Sequence, residues 1–274
     1  MKLCVNYLTE VRELLEEGKL DFIDYLKLYS INNDLSPFDW CASKKKVMFH
    51  GMVGNLSNLI TKDFLKGRDV ELQKLYYKKG NTPYISGHIN IDRDEEIDEK
   101  ESEELLKNNI NSIKETFDMK VIIENVPASR DNTKNHFCTY PDYITKVVTE
   151  NDCGFLFDLS HARVASEVLG IPFNEYVERL PMDRLVEIHL SGCILRKDGS
   201  LSANHSKMNE EDYIFLEDAI KKYKTLEVVT LEYGPFLDDE LTIECPAVSY
   251  ERVDEVAKKE VYEQLLRIKN ILGK

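Results

Sequence analysis

No run of 18 or more consecutive apolar residues occurs in the chain, so no membrane-spanning helix is expected. A glycine-rich phosphate loop is also missing after the first strand-like run, Leu3–Tyr7, which leaves a doubly wound nucleotide-binding sheet without support. The cysteines Cys4, Cys41, Cys138, Cys153, Cys193 and Cys245 form no Cys-x-x-Cys pair. Scattered in this way through 274 residues, they imply reduced thiols in a cytoplasm rather than a disulfide framework. The start, Met1-Lys2-Leu3-Cys4-Val5, lacks the layout of a signal peptide and reads as a strand. Positive charge is scarce: 36 Lys and Arg against 50 Asp and Glu leave a net charge of −14, and the one compact basic run is Lys44-Lys45-Lys46. Phosphate backbones are bound by Lys and Arg that displace counterions, so nucleic acid is disfavoured as a partner.

What the chain has is alternation. With 42% hydrophobic residues, it can bury the core of one large domain or two small ones. Strand-like runs at Leu3–Tyr7, Phe22–Leu28, Val47–Phe49, Pro83–Ser86, Lys120–Ile123, Phe155–Phe157, Leu185–Ile188 and Leu226–Leu231 are separated by helical patterns. The helices are expected at Thr9–Glu17, Leu56–Tyr77, from the acidic run Asp92–Glu104 to Phe117, Tyr140–Asn151, Ala162–Val168, Phe173–Arg179, Glu210–Tyr223 and Arg252–Leu272. Residues 30–43, 125–138, 191–206 and 233–249 read as loops. Strand–helix alternation implies a parallel sheet with right-handed crossovers. Eight such units, with no linker-like break, fit a single-domain (β/α)8 barrel over residues 1–274.

The stretch Gly154–His161, Gly-Phe-Leu-Phe-Asp-Leu-Ser-His, sets the pattern that matters for function. A buried apolar strand stops at Asp158, and a carboxylate there is costly unless its charge is used. It could simply cap the next helix. The same stop recurs: successive strands end in His50, His88, Glu124, Asp158 (with His161 three residues on), His189 and Glu232, and His205 lies in the loop before the last strand. In a barrel these ends converge on the face that carries active sites. Imidazole and carboxylate donors suit divalent transition metals. Eight candidates exceed the needs of one ion and imply at least two, bridged by a carboxylate.

On these residues the chain resembles the multinuclear non-haem iron-dependent oxidative enzymes that include the methanobactin biosynthesis iron enzyme. The motifs are Phe49-His50-Gly51, Ile123-Glu124-Asn125, Phe157-Asp158-Leu159-Ser160-His161 and Glu187-Ile188-His189-Leu190-Ser191-Gly192. More distantly it is similar to endonuclease IV and xylose isomerase-like barrels. The resemblance implies one metal on His50, His88 and Glu124, a second on Glu124, Asp158, His189 and Glu232, and a third on His161 and His205. Glu124, Asp158 and Glu232 would be the carboxylates at the reacting centre. Two or three ions are expected, iron foremost, with zinc or manganese accepted by the same donors. The family pattern places an Asp two residues before the last histidine, where this chain has Ala203, followed by Asn204. The third site would then be empty, or completed by water, Asn204 or Asp198.

The resemblance further implies oxidation, by dioxygen, of cysteine residues in a ribosomally made peptide, with a partner protein or leader sequence assisting. Three alternatives stand beside it. A sugar isomerase or epimerase would use Glu124, Asp158, His189 and Glu232 for one ion; the others are a phosphodiesterase of the endonuclease IV type and a non-enzymatic metal-binding barrel. Cys193, just past His189, reads as a spectator thiol, with a redox role as the alternative.

Overall fold

The computed structural model describes residues 1–29, 35–53, 58–62, 64–91, 95–131, 133–235 and 252–274. Its order is β1 (Lys2–Asn6), α1 (Thr9–Glu16), β2 (Tyr25–Tyr29), α2 (Phe38–Lys44), β3 (Lys46–His50), α3 (Val70–Gly80), β4 (Ile85–His88), α4 (Glu99–Phe117) and β5 (Val121–Glu124). A 3-10 helix at Thr133–Thr139 follows, then α5 (Pro141–Glu150), β6 (Gly154–Asp158), α6 (Leu159–Leu169), α7 (Phe173–Arg179) and β7 (Leu185–Leu190). The chain continues through β8 (Gly192–Leu195), β9 (Leu201–Ser206), α8 (Glu210–Lys222), β10 (Val228–Leu231) and α9 (Glu255–Ile271).

Eight of these strands form one parallel sheet in the order β3-β2-β1-β10-β7-β6-β5-β4. The sheet curls into a nearly closed (β/α)8 barrel, as the alternation predicts. Its seam lies between β3 and β4, and side chains close it where no ladder does. Ser86 Oγ donates to the Phe49 carbonyl at 3.4 Å and accepts from the Gly51 N–H at 3.2 Å. Thr82 Oγ1 donates to the Val47 carbonyl at 2.7 Å.

Two apolar groups hold the barrel together. The larger lies between sheet and helices, with Leu3, Val5, Ile123, Phe155, Phe157, Ile188 and Leu231 among its buried members. The smaller comprises Cys4, Tyr25, Met48, Tyr84, Ile122, Leu156, Val186 and Val228. These eight come one from each strand or from the residue before it, and they plug the interior as a single layer. Every residue two positions further along β1, β2, β3, β4, β5, β6 and β10 is polar: Asn6, Lys27, His50, Ser86, Glu124, Asp158 and Thr230. The change from apolar to polar therefore happens within one layer.

Several expectations need correction. The 30–43 loop contains α2, and residues 30–34 lie outside the described part. The helix expected over Leu56–Tyr77 begins only at Val70, where Asp69 caps it by accepting from the Leu72 N–H. Turns and bends occupy most of the described residues before it, because capping rather than periodicity sets the start. The acidic run enters a helix at Glu99, after the Asp98 cap; residues 92–94 are outside the description. The 191–206 loop is an antiparallel hairpin of β8 and β9. Of the 233–249 loop, only 233–235 are described.

Candidate metal centre

Each donor reaches the pocket because its strand stops there. Asp158 does both things its position allows. Its Oδ1 caps α6, accepting from the His161 N–H at 2.7 Å and from the Ser160 hydroxyl at 2.8 Å. Its Oδ2 is buried with no hydrogen-bond partner. Two asparagines brace the chain around the carboxylates. Asn125 donates to the Asp158 carbonyl at 3.0 Å and accepts from the Asp158 N–H at 2.8 Å. Asn6 does the same for Tyr233, next to Glu232, at 2.8 and 3.0 Å. The Asn125 carbonyl also lies 2.9 Å from His161 Nδ1, so a proton on Nδ1 would be held there, leaving Nε2 free for a metal.

The eight candidates meet in one place. Glu124 Oε2 lies 3.0 Å from His88 Nε2 and 3.7 Å from His50 Nε2. Glu124 Oε1 lies 3.4 Å from His189 Nδ1 and 3.6 Å from His161 Nδ1. Glu232 Oε2 approaches His189 Nδ1 at 2.8 Å and His205 Nδ1 at 4.0 Å, and Glu232 Oε1 is 3.5 Å from His50 Nε2. His136 is elsewhere, against the Ser129 carbonyl at 2.6 Å.

The partition differs from the one the resemblance implies. Among the described residues, donor atoms within 4.8 Å of one another form three groups: His50, Glu124, His189 and Glu232; Glu124, Asp158 and His161; and Asp158, His205 and Glu232. Glu124, Asp158 and Glu232 are each shared by two groups. His189 joins His50 while lying 3.8 Å from Asp158 Oδ2, and His161 and His205 fall in different groups although their ring centroids are 5.9 Å apart. The third group takes its carboxylates from Asp158 and Glu232, so the Ala203 departure does not leave it without charge. Asp198 is not available to it: it is exposed and its carboxylate accepts from the Ser200 N–H in the hairpin turn at 2.9 Å. His88 belongs to none of the groups but borders Glu124.

The donor set fits bound cations. Glu124 Oε1, Asp158 Oδ2, Glu232 Oε2, His88 Nε2 and His189 Nδ1 are all buried without hydrogen-bond partners. Some lie close together, but not aligned as hydrogen bonds, and unsatisfied buried carboxylates are costly. The electrostatics agree. Burial pushes Glu232 up to about 7, His205 down to about 4 and His50 well below its usual value. Burial also opposes charge on Glu124, yet His88 and His189 hold it well below the carboxylate range. His189 goes the other way: burial and Lys27 disfavour its charge, and Glu124 and Glu187 outweigh them, raising it to about 9. His50 and His205 are thus held as neutral imidazoles, the form that ligates a metal, and bound cations would balance the buried carboxylates.

Sequence reasoning assigned no role to Lys27, Glu187, Tyr29, Asn125 or Asn6. Tyr29 stacks on the His50 ring with centroids 4.5 Å apart. Lys27 and Glu187 are wholly buried below His189. A lysine inside the apolar run Tyr25-Leu26-Lys27-Leu28-Tyr29 was the available signal. Cys193 donates to the Ser160 carbonyl at 3.6 Å, and burial, with the nearby Asp158 charge, lifts its thiol to about 12. It is a poor thiolate, which favours the spectator reading.

The hairpin that brings in His205 is tightly seated. His205 has a left-handed backbone with φ of 46°, its carbonyl accepts from the Gly234 N–H at 2.9 Å, and Ser191 Oγ lies 3.3 Å from its Nδ1. At Gly192 an added Cβ would meet the Lys207 carbonyl oxygen at 2.1 Å. Gly192→Ala is therefore expected to cost roughly 1–3 kcal/mol and to displace His205. Thermal melting together with a metal count per chain checks this; an unchanged melting point would show that the hairpin accommodates the methyl group.

Residues 33–235 match the model of the family described as RiPP precursor modification enzyme MbnB/TglH/ChrH. A UPF0276 protein of Caulobacter vibrioides (strain NA1000 / CB15N) is 30% identical over 84 residues, 31% of this chain and 30% of that protein. The alignment thus spans less than a third of the relative's length. Among solved structures, a xylose isomerase domain containing protein from Salmonella typhimurium LT2 superposes with a TM-score of 0.63 at 11% identity, covering 99% of this chain and 97% of that one. D-psicose 3-epimerase gives a TM-score of 0.63 at 14% identity, covering 100% of both chains. At these identities the likeness carries the fold alone.

Proposed function

We infer what this pocket does from one premise: the chain belongs to the RiPP precursor modification enzyme family MbnB/TglH/ChrH. We propose that it is a metal-dependent oxidative enzyme that uses dioxygen to oxidise cysteine residues of a ribosomally made peptide. The observation that carries the reading is the set of three overlapping donor groups sharing Glu124, Asp158 and Glu232. Overlap of this kind suits two or three neighbouring divalent ions, functionally iron, with zinc or manganese as chemically acceptable occupants. When bound, the ions would supply the redox chemistry, passing electrons from the cysteine side chain to dioxygen.

The chain's own residues do the rest. His50, His189, Glu124 and Glu232 would hold one ion, Glu124, Asp158 and His161 another, and Asp158, His205 and Glu232 a third, with His88 beside the first two. Asn125 and Ser160 fix Asp158, and Asn6 fixes the backbone next to Glu232. Glu124, Asp158, His189 and Glu232 are at most 2% exposed, so bulk water is kept from the floor of the site, while the partly exposed His50, His88 and His205 line the side from which a peptide would enter. We place the enzyme in the cytoplasm, as a single barrel domain. The five described cysteines are unpaired, and no described helix is long and apolar enough to cross a membrane. A partner or leader-binding protein would help to deliver the peptide.

The isomerase reading needs Glu124, Asp158, His189 and Glu232 around one ion. His189 Nδ1 does lie near all three carboxylates, 2.8 Å from Glu232, 3.4 Å from Glu124 and 3.8 Å from Asp158, but this reading leaves the further donors His50, His161 and His205 of the three groups without an ion. Protein loaded anaerobically with ferrous iron and mixed with cysteine peptides is expected to change its absorption, then to consume oxygen on exposure to air. Peptides with serine in place of cysteine should do neither. A single manganese per chain that supports ketose epimerisation, with no thiol-dependent oxygen uptake, would instead establish the isomerase.

A further inference from the structure

Directly beneath the donor groups lies a second polar cluster. Lys27 on β2 and Glu187 on β7 are both 0% exposed and are ion-paired, Nζ to Oε1, at 2.5 Å. The Tyr84 hydroxyl donates to Glu187 Oε2 at 2.9 Å, and the Thr230 hydroxyl donates to Oε1 at 2.5 Å. Lys27 Nζ also lies 2.5 Å from His189 Nε2, and Glu187 Oε1 lies 3.3 Å from the same nitrogen. The opposite nitrogen, Nδ1, faces Glu232 at 2.8 Å and Glu124 at 3.4 Å.

Stability does not call for this arrangement. The neighbouring interior layer is almost wholly apolar, and a buried ion pair is generally no better than apolar side chains of equal volume. The backbone is nonetheless adjusted to present it. Where β7 runs beside β6, Leu185 pairs with Phe155 and Glu187 with Leu156, leaving Val186 as an extra residue. A bulge of this kind re-aims the side chains that follow it. Here Val186 stays in the apolar layer, while Glu187 and His189 both turn inward.

We propose that Glu187 and Lys27 are positioning residues for His189: Glu187 Oε1 is the acceptor for a proton on Nε2, Lys27, which can only donate, fixes Glu187, and Nδ1 thereby stays aimed at the metal group shared with His50, Glu124 and Glu232. This rests on the reading of the pocket as a metal centre. Imidazole ligands are commonly oriented by a partner on the non-ligating nitrogen, and losing that partner typically weakens metal binding about 10–100-fold. Lys27 and Glu187 carry opposite charges, so the carboxylate that orients the ring is held without changing the net charge beneath the site.

The test uses the double variant Lys27→Met/Glu187→Leu, titrated with cobalt(II) alone and followed by absorption and by competition with a chelator. The metal-free double variant should melt close to the wild-type temperature, since neither Lys27 nor Glu187 is left buried alone, although the Tyr84 and Thr230 hydroxyls lose their acceptor. One cobalt per chain should bind about 10–100-fold more weakly, with an altered spectrum, while the others titrate as in wild type. If all the cobalt binds with wild-type affinity and spectrum, the pair is merely structural and the inference is overturned. Should the double variant fail to fold, Thr230→Val removes one orienting hydroxyl at nearly constant volume; weaker binding of the same single cobalt supports the proposal and unchanged binding overturns it. Wild-type protein that binds no cobalt would overturn the metal reading itself, and with it this inference.

Discussion

Glu124→Gln is expected to empty two metal positions at once, whereas His50→Ala should empty mainly one. Glu124 contributes to the group with His50, His189 and Glu232 and also to the group with Asp158 and His161. Its two oxygens face different histidines, Oε2 toward His50 and His88 and Oε1 toward His189 and His161. A carboxylate lends its charge to every cation within a few ångströms. The neutral amide keeps the shape and loses that charge. Residues that merely support a ligand already contribute about 10–100-fold to metal affinity, so loss of a shared one should leave thiol-dependent oxygen uptake at background. Iron counts per chain, measured after identical reconstitution of the two variants, decide the matter. Equal losses would mean that Glu124 serves a single ion.

How far this centre can be read from the sequence depends on what each residue's position encodes. Strands buried on both faces are apolar throughout, so a histidine or carboxylate that ends one is conspicuous, and His50, His88, Glu124, Asp158, His189 and Glu232 stand out one strand at a time. The alternation that yields eight strands is equally local. Which donors share a group is not local. It depends on how the strand ends are staggered around the barrel, and the extra residue Val186 in β7 changes that stagger without any mark in the pattern Leu185–Leu190. His161 and His205, which the resemblance pairs at one site, fall in different groups although their rings lie 5.9 Å apart. Asp158 shows the same limit in another way: helix cap and pocket ligand read as rivals until its two oxygens are seen to be used separately, Oδ1 at the cap and Oδ2 toward His189. Lys27 was visible as a lone cation in an apolar strand, but its partner Glu187 lies 160 residues away, and only the closed sheet brings them together.

That separation underlies the other large effect expected. Lys27→Met alone should destabilise the metal-free chain by about 3–5 kcal/mol, because it leaves Glu187 buried without its counter-charge. At roughly 2–4 °C per kcal/mol for chains of comparable size, the melting temperature should fall by on the order of 10 °C. The loss should also depend on pH with a definite sign. Burial disfavours ionised Glu187, but Lys27 and then His189 outweigh it and hold its pKa at about 2. A depressed carboxylate adds stability that is present above its unfolded pKa and lost only as pH falls toward the folded value, so the wild type gains or loses little through Glu187 between pH 5 and 8. In the variant, the groups facing Glu187 are Tyr84, Thr230 and His189, and burial is no longer opposed by the ammonium. Its folded pKa then rises above the unfolded one, and the folded state holds a proton that the unfolded state has released. Stability should fall as pH climbs through that interval, by at most about 1.4 kcal/mol per unit. Any protonation of His189 that compensates Glu187 at low pH works in the same direction. Melting both proteins without metal at pH 5 and pH 8 tests this: the gap between them should be wider at pH 8, and a gap that narrows there would mean that Glu187 is not the group left uncompensated.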